Sequence, residues 1–244
     1  MNDTLRKRAG WMPGTLRANT MTASEPARTA GRTIVWLTVY AIAMAQVEAA
    51  VVIRLRTIYH GDDPLTVFPL AFLSDLDLFI ELTREFATVL MILSVSLLQS
   101  RRGVYAFAAF VYVFGLWDLA YYAWLKILLG WPTQWLEWDV LFLIPWPWLG
   151  PWIAPVLVSM LFVAGGGRLL SSPARFTRLA LVAFVAGAAL VVTAFLLPGL
   201  PLVANGEAGG FGAGDFPWGF FVPGYLLMAS GLSIACNRSA LRAA

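Results

Sequence analysis

The chain has 244 residues, 59% hydrophobic and only 13% charged, with a formal net charge of +3. Soluble domains carry about a quarter charged residues, so this composition excludes an ordinary soluble fold and indicates an integral membrane protein. One cysteine, Cys236, excludes an internal disulfide framework, and one histidine, His60, argues against a His-rich transition-metal site.

Residues 1–33 form a basic arm with Arg6, Lys7, Arg8, Arg17, Arg28 and Arg32 against only Asp3 and Glu25. With Pro13 and Pro26 and little to pack, it reads as a disordered cytoplasmic arm near anionic headgroups, not a nucleic-acid binder. Residues 34–236 read as one transmembrane domain, and 237–244 as a short cytoplasmic tail.

The first span is predicted over 33–53. Ala43-Met44-Ala45 resembles a signal-cleavage site, but the apolar run continues past it, which favours an uncleaved helix. The second span is predicted over 78–98, preceded by an interfacial approach, LTVFPLAFL, and the third over 103–130. Pro145, Pro147, Pro151 and Pro155 break the next apolar stretch, so an interfacial or re-entrant segment is expected near 131–152 and a fourth span near 151–166. The fifth span is predicted over 178–197 and the sixth over 217–236, joined by a Gly-rich loop at 198–216.

The expected fold is therefore an all-α integral membrane protein of about six transmembrane helices, N-in and C-in, in a bacterial-type inner membrane. The positive-inside rule supports this arrangement. It puts thirteen of the seventeen basic residues, but only two of the fourteen acids, on the cytoplasmic side. Eight of the eleven Trp fall between 117 and 152, mostly about the outer loop after the third span, which suggests an interfacial belt.

The chemistry concentrates on the second span. Asp77, Glu81, Arg84, Glu85 and Thr88 are spaced by 4, 3, 1 and 3 and share one helix face. Asp118, Tyr122 and Lys126, with Tyr121 beside them, form a stripe at similar depth on the third span, and Glu48 lies near the outer end of the first. Ionisable groups inside a bilayer face the bundle and pair, because a lone charge there costs about 2.5–3.5 kcal/mol on the insertion scale. The expected pairs are Arg84 with Glu48 or Asp118, and Lys126 with Glu81 or an outer-loop acid such as Asp139.

The cluster reads either as a structural lock or as a ligand- and proton-handling site. In the second case Arg84 would hold an anionic group, Glu81, Glu85 and Asp118 would exchange protons, and Tyr122 and Lys126 would line the entrance. Such a site binds or translocates a small solute or protons. Two alternatives use the same residues differently: an enzyme acting on a lipid or isoprenoid, and a non-catalytic subunit docking a membrane partner through the Trp-rich outer segment. Membrane lipids are partners in every case. No cofactor is expected; a hard cation such as Mg²⁺ or Ca²⁺ between Glu81 and Glu85 would compete with Arg84. The glycines at 206–214 lack the GK[ST] of a phosphate loop and read as a connector or lid.

Overall fold

The computed structural model describes residues 24–61, 65, 74–100, 102–172, 176–205, 211, 212 and 214–237. Most of the basic arm, the interfacial approach after Leu65, the glycines at 206–210 and the tail beyond Asn237 lie outside the described residues.

The chain is mostly helical. Helix α1 covers Ser24–Tyr59, α2 Asp75–Gln99, α3 Gly103–Leu129, α4 Ile153–Ser171, α5 Arg178–Leu196, α6 Leu200–Asn205 and α7 Trp218–Cys236. Among the described residues, five helices are long and apolar enough to cross a membrane: α1, α3, α4, the α5–α6 rod and α7. Helix α2, 25 residues long, is not among them; Asp75, Asp77, Glu81, Arg84 and Glu85 crowd its N-terminal half.

Helix α1 starts at Ser24, inside the stretch read as a disordered arm, and ends six residues beyond the expected limit at Ile53. Its last two turns therefore bring Arg54, Arg56 and Tyr59 onto a helix, where the sequence reading had a loop. Residues 197–205, expected as loop, form a 3₁₀ turn, Leu197–Gly199, running into α6.

Local signals explain the other boundaries. Ser74 caps α2 by accepting from the Asp77 N–H, and Asp75 and Asp77 complement the helix dipole in its first turn. Gly130 ends α3 at φ 80°, the left-handed conformation that glycine adopts without a Cβ penalty.

The Pro- and Trp-rich segment departs from the all-α expectation. After a loop over 130–137 it forms an antiparallel hairpin, β1 (Trp138–Phe142) and β2 (Trp148–Pro151), with Trp138 opposite Pro151 and Asp139 opposite Gly150. Pro145 and Pro147 sit in the connecting loop, where no ladder N–H is required of them. Of the Trp residues expected in an interfacial belt, Trp117, Trp131 and Trp138 are buried, and Trp135 is exposed.

Two packing units flank the hairpin. Helices α4, α5 and α7 share a core that includes Leu149, Phe184, Phe195, Phe221 and Met228. Helices α1 and α3 form a second core with Ile92 of α2 and Val113 and Trp117 of α3. Small residues let the helices approach. A Cβ on Gly187 would lie 2.5 Å from the Gly224 carbonyl oxygen, and one on Gly115 would lie 2.6 Å from that of Ser159.

Candidate functional site

Helix α2 is amphipathic in reverse. Its buried residues are Glu81, Glu85, Thr88, Ile92 and Ser96, whereas Phe79 and Phe86 are more than 60% exposed on the outside. In water this orientation would be unfavourable; against lipid tails it is the favoured one, since the apolar face meets hydrocarbon and the charges meet partners.

The central partner set is Glu48–Arg84–Glu81. Arg84 Nε donates to Glu81 Oε2 at 2.9 Å; its Nη2 also bonds Glu81 and its Nη1 bonds Glu48 of α1. Thr88 donates to the other Glu48 oxygen at 3.3 Å. Arg84 thus meets the expected Glu48, not Asp118, and its guanidinium donates from Nε and Nη2 to one carboxylate and from Nη1 to another.

Glu85 is held by the hairpin. Its two carboxylate oxygens accept from the Leu143 N–H at 2.9 and 3.0 Å. Asp118 accepts from the Ser159 hydroxyl of α4 at 2.8 Å. Neither carboxylate has a basic partner within ion-pair distance among the described residues.

A second ion pair closes the top of the cluster. Arg56 Nη2 donates to Asp139 Oδ1 at 3.1 Å, and the Tyr122 hydroxyl donates to Asp139 Oδ2 at 3.1 Å. The guanidinium also stacks over Trp131, 4.1 Å from the ring centroid. Burial pushes the Asp139 carboxyl above its ordinary range, opposed by Arg56 and by the Tyr122 hydroxyl.

Lys126 departs from the expected pairing with Glu81 or Asp139. Its ammonium donates to the Gly130 and Pro132 carbonyls at 2.9 and 2.7 Å. The αL cap at Gly130 turns those carbonyls toward the last turn of α3, and they lie closer than any acid. Lys126 instead borders a separate notch with Pro132, Trp135 and Trp152. Asp77 sits at the start of α2, bonded to Ser74 at 2.6 Å and to the Tyr59 hydroxyl.

These groups surround one cavity of about 320 Å³, near the small end of ligand sites. Its ionisable wall holds Glu48, Arg56, Glu81, Arg84, Glu85, Asp118 and Asp139, with Tyr121, Tyr122 and Trp117 from α3. The rest is apolar: Val52, Leu55, Leu78, Leu141, Leu143 and Leu202. Half-exposed Tyr59 and His60 and exposed Leu78 mark its outer rim. Of the sequence-predicted site residues, Glu48, Glu81, Arg84, Glu85, Asp118, Tyr121, Tyr122 and Asp139 meet there; Asp77 and Lys126 do not line it.

Sequence reasoning missed Arg56, Tyr59, Trp117 and Ser159. Glu48, Val52, Arg56 and Tyr59 follow a 4, 4, 3 spacing that puts them on one face, a signal lost by ending the first span at Ile53. Trp117 and Ser159 carried none, being one Trp among many and one Ser in an apolar helix. Among the described residues no group of three or more His, Cys, Asp or Glu is disposed to hold a metal ion.

Fold and site together define a mostly helical chain with, among the described residues, five helices long and apolar enough to cross a membrane and an ionisable cavity bordered by α1, α2, α3 and the hairpin. Comparison with protein-family models, with characterised proteins and with solved structures yields no match.

Proposed function

We propose that the chain is a six-span protein of a bacterial-type inner membrane, N-in and C-in, that binds or translocates a small cationic solute or protons from the outer side. The observation that carries this reading is the charge balance of the cavity wall. Five carboxylates (Glu48, Glu81, Glu85, Asp118 and Asp139) face two guanidiniums, Arg56 and Arg84. Both guanidiniums are already engaged by acids, which leaves Glu85 and Asp118 with neutral partners only. A cation or a proton balances such a wall; an anion does not. Arg84 accordingly acts as a clamp between α1 and α2 in this reading, not as an anion receptor.

The test is proteoliposome flux with an entrapped pH dye, with and without small amines outside. Glu85→Gln and Asp118→Asn keep shape and remove charge, and each is expected to lower the flux at least tenfold. Flux unchanged in both variants, with normal folding, would overturn the proposal.

A second reading draws on the apolar half of the cavity. Val52, Leu55 and Leu78 lie between α1 and α2, and α2 packs mainly against α3, so the gap could admit a lipid chain to Glu85. An enzyme acting on a lipid would use Glu85 and Asp118 as acid and base. Turnover of a lipid substrate by the purified protein would favour it over solute binding.

A further inference from the structure

Of the five carboxylates on the cavity wall, one keeps an oxygen free. Arg84 holds both oxygens of Glu81 and, with Thr88, both of Glu48. Arg56 and Tyr122 take the two oxygens of Asp139, and the Leu143 N–H serves both of Glu85. Asp118 accepts from Ser159 through Oδ2 alone, so its Oδ1 has no partner among the described residues. One turn further along the same face of α3, the Tyr121 hydroxyl is also without a hydrogen bond, and it lies within electrostatic reach of Asp118. Neither atom is sealed. The unpartnered polar atoms closed to solvent belong to Arg56, Gln99, Trp117 and Trp131, whereas Asp118 and Tyr121 are partly exposed and line the cavity.

The remaining wall is hydrocarbon: Val52 and Leu55 of α1, Leu78 of α2, Leu141 and Leu143 of the hairpin, and Leu202 of α6. A proton needs neither an apolar lining nor a volume of about 320 Å³. A hard cation draws about six or more oxygen ligands. Among the described residues no group of three or more His, Cys, Asp or Glu is disposed to hold one. Apolar atoms around one open carboxylate oxygen suit a cation that carries its own hydrocarbon.

We infer that the cavity takes a compact organic amine, whose ammonium donates to Asp118 Oδ1 and the Tyr121 hydroxyl and whose hydrocarbon body lies against Val52 and the leucines. The inference rests on the reading of the cavity as a site for a cationic solute. It narrows that class to amines that bear N–H groups and an apolar body. A protonated amine brings the positive charge that a wall of five carboxylates and two guanidiniums lacks. Its N–H groups suit acceptors without a donor better than a quaternary ammonium does, because charge-assisted hydrogen bonds are the stronger contact. The acceptor is also held in place. The Tyr121 ring meets the Tyr122 ring edge-on, 5.2 Å between centroids, and Tyr122 is itself fixed by Asp139.

Four probes separate charge, N–H and body. Isopentylamine has all three, isopentyltrimethylammonium lacks the N–H, methylamine lacks the body, and isopentyl alcohol lacks the charge. Binding is measured calorimetrically on the full chain in detergent micelles, with titrations into empty micelles subtracted. Isopentylamine is expected to bind about tenfold tighter than each of the others. Asp118→Asn, which keeps shape and removes charge, is expected to weaken isopentylamine about tenfold and leave the alcohol within about twofold. Tyr121→Phe keeps the ring and deletes the acceptor. It is expected to weaken isopentylamine by about threefold to tenfold while isopentyltrimethylammonium stays within about twofold. If Asp118→Asn does not fold, Tyr121→Phe carries the test alone.

Methylamine or isopentyltrimethylammonium binding as tightly as isopentylamine would overturn the inference and leave the cationic-solute reading standing. So would isopentylamine binding that neither variant weakens. Isopentyl alcohol matching the amine would overturn the inference and also count against that reading. If none of the four binds while Glu85-dependent proton flux persists, the amine is excluded and the proton reading survives. Absence of both binding and flux removes the two together.

Discussion

Removing Asp139 would leave the Arg56 guanidinium buried with an aromatic face but no counter-charge. Asp139→Ala is therefore expected to cost about 3–5 kcal/mol, the usual penalty for breaking a buried pair at one end. Arg56→Met combined with Asp139→Leu should recover much of that loss, because it removes both desolvation costs at once. Thermal unfolding in detergent, followed by circular dichroism, reads both. The pair also sets a pH dependence. Burial raises the Asp139 carboxyl, and Arg56 is what opposes it. In Arg56→Met the folded-state pKa of Asp139 rises further above its unfolded value. The protonated acid is then compatible with burial at low pH, and stability falls as pH rises through the folded pKa. Arg56→Met should thus lose unfolding temperature relative to the wild type as pH increases, and adding Asp139→Asn should flatten that trend. An unchanged pH profile in Arg56→Met would show that Asp139 has water access.

At the scale of the element, α2 was the most legible part of the site and the hairpin the least. The 4, 3, 1, 3 spacing from Asp77 to Thr88 fixes a helix face by geometry alone, and that face holds Glu81, Glu85 and Thr88 in the interior. Matching depth was enough to pair Arg84 with Glu48. Lys126 went astray because the nearest acceptors were backbone carbonyls of its own helix cap, which no charge pattern displays. The prolines at 145, 147 and 151 excluded a helix correctly, but exclusion does not say strand. The Glu85–Leu143 contact is a carboxylate meeting a backbone N–H, and every residue but proline offers that donor. Helix contacts were hidden for a similar reason, since small residues are common throughout the apolar spans. They give a direct comparison within one helix pair. Gly187→Ala would put a Cβ 2.5 Å from the Gly224 oxygen and 2.6 Å from the Met228 nitrogen, both backbone atoms that cannot swing aside. It is expected to destabilise the α5–α7 contact by about 1–3 kcal/mol. Gly219→Ala, at the start of α7, meets nothing within 4 Å and should be neutral or slightly stabilising. Equal effects from the two would mean that α5 and α7 are not closely packed there.

For the whole molecule, the question is whether α2 crosses the membrane. Taken alone it should not, because Asp75, Asp77, Glu81, Arg84 and Glu85 fall in its first eleven residues. A central charge costs about 2.5–3.5 kcal/mol to insert, and several together outweigh the apolar remainder. In the bundle that cost is offset by the Glu48–Arg84–Glu81 set, the Leu143 N–H and the Thr88 hydroxyl, while the exposed residues, Phe79, Phe86, Leu90 and Leu97 among them, suit a lipid-facing surface. Insertion of α2 therefore depends on α1 and on the hairpin, and six spans follow only if it inserts. Cysteine accessibility measures this directly on a Cys236→Ala background, in which no other thiol remains. With six spans, His60→Cys and Gly212→Cys should react with a membrane-impermeant maleimide from outside intact cells. Arg102→Cys and Asn237→Cys should react only after permeabilisation. If α2 lies on the surface, Arg102→Cys would label from the same side as His60→Cys, and every later site would exchange sides with it. The Arg84→Ala variant sharpens the outcome. With Glu48 and Glu81 left facing each other unpaired, α2 should partly fail to insert, and Arg102→Cys should become reactive from outside in that background while His60→Cys does not change.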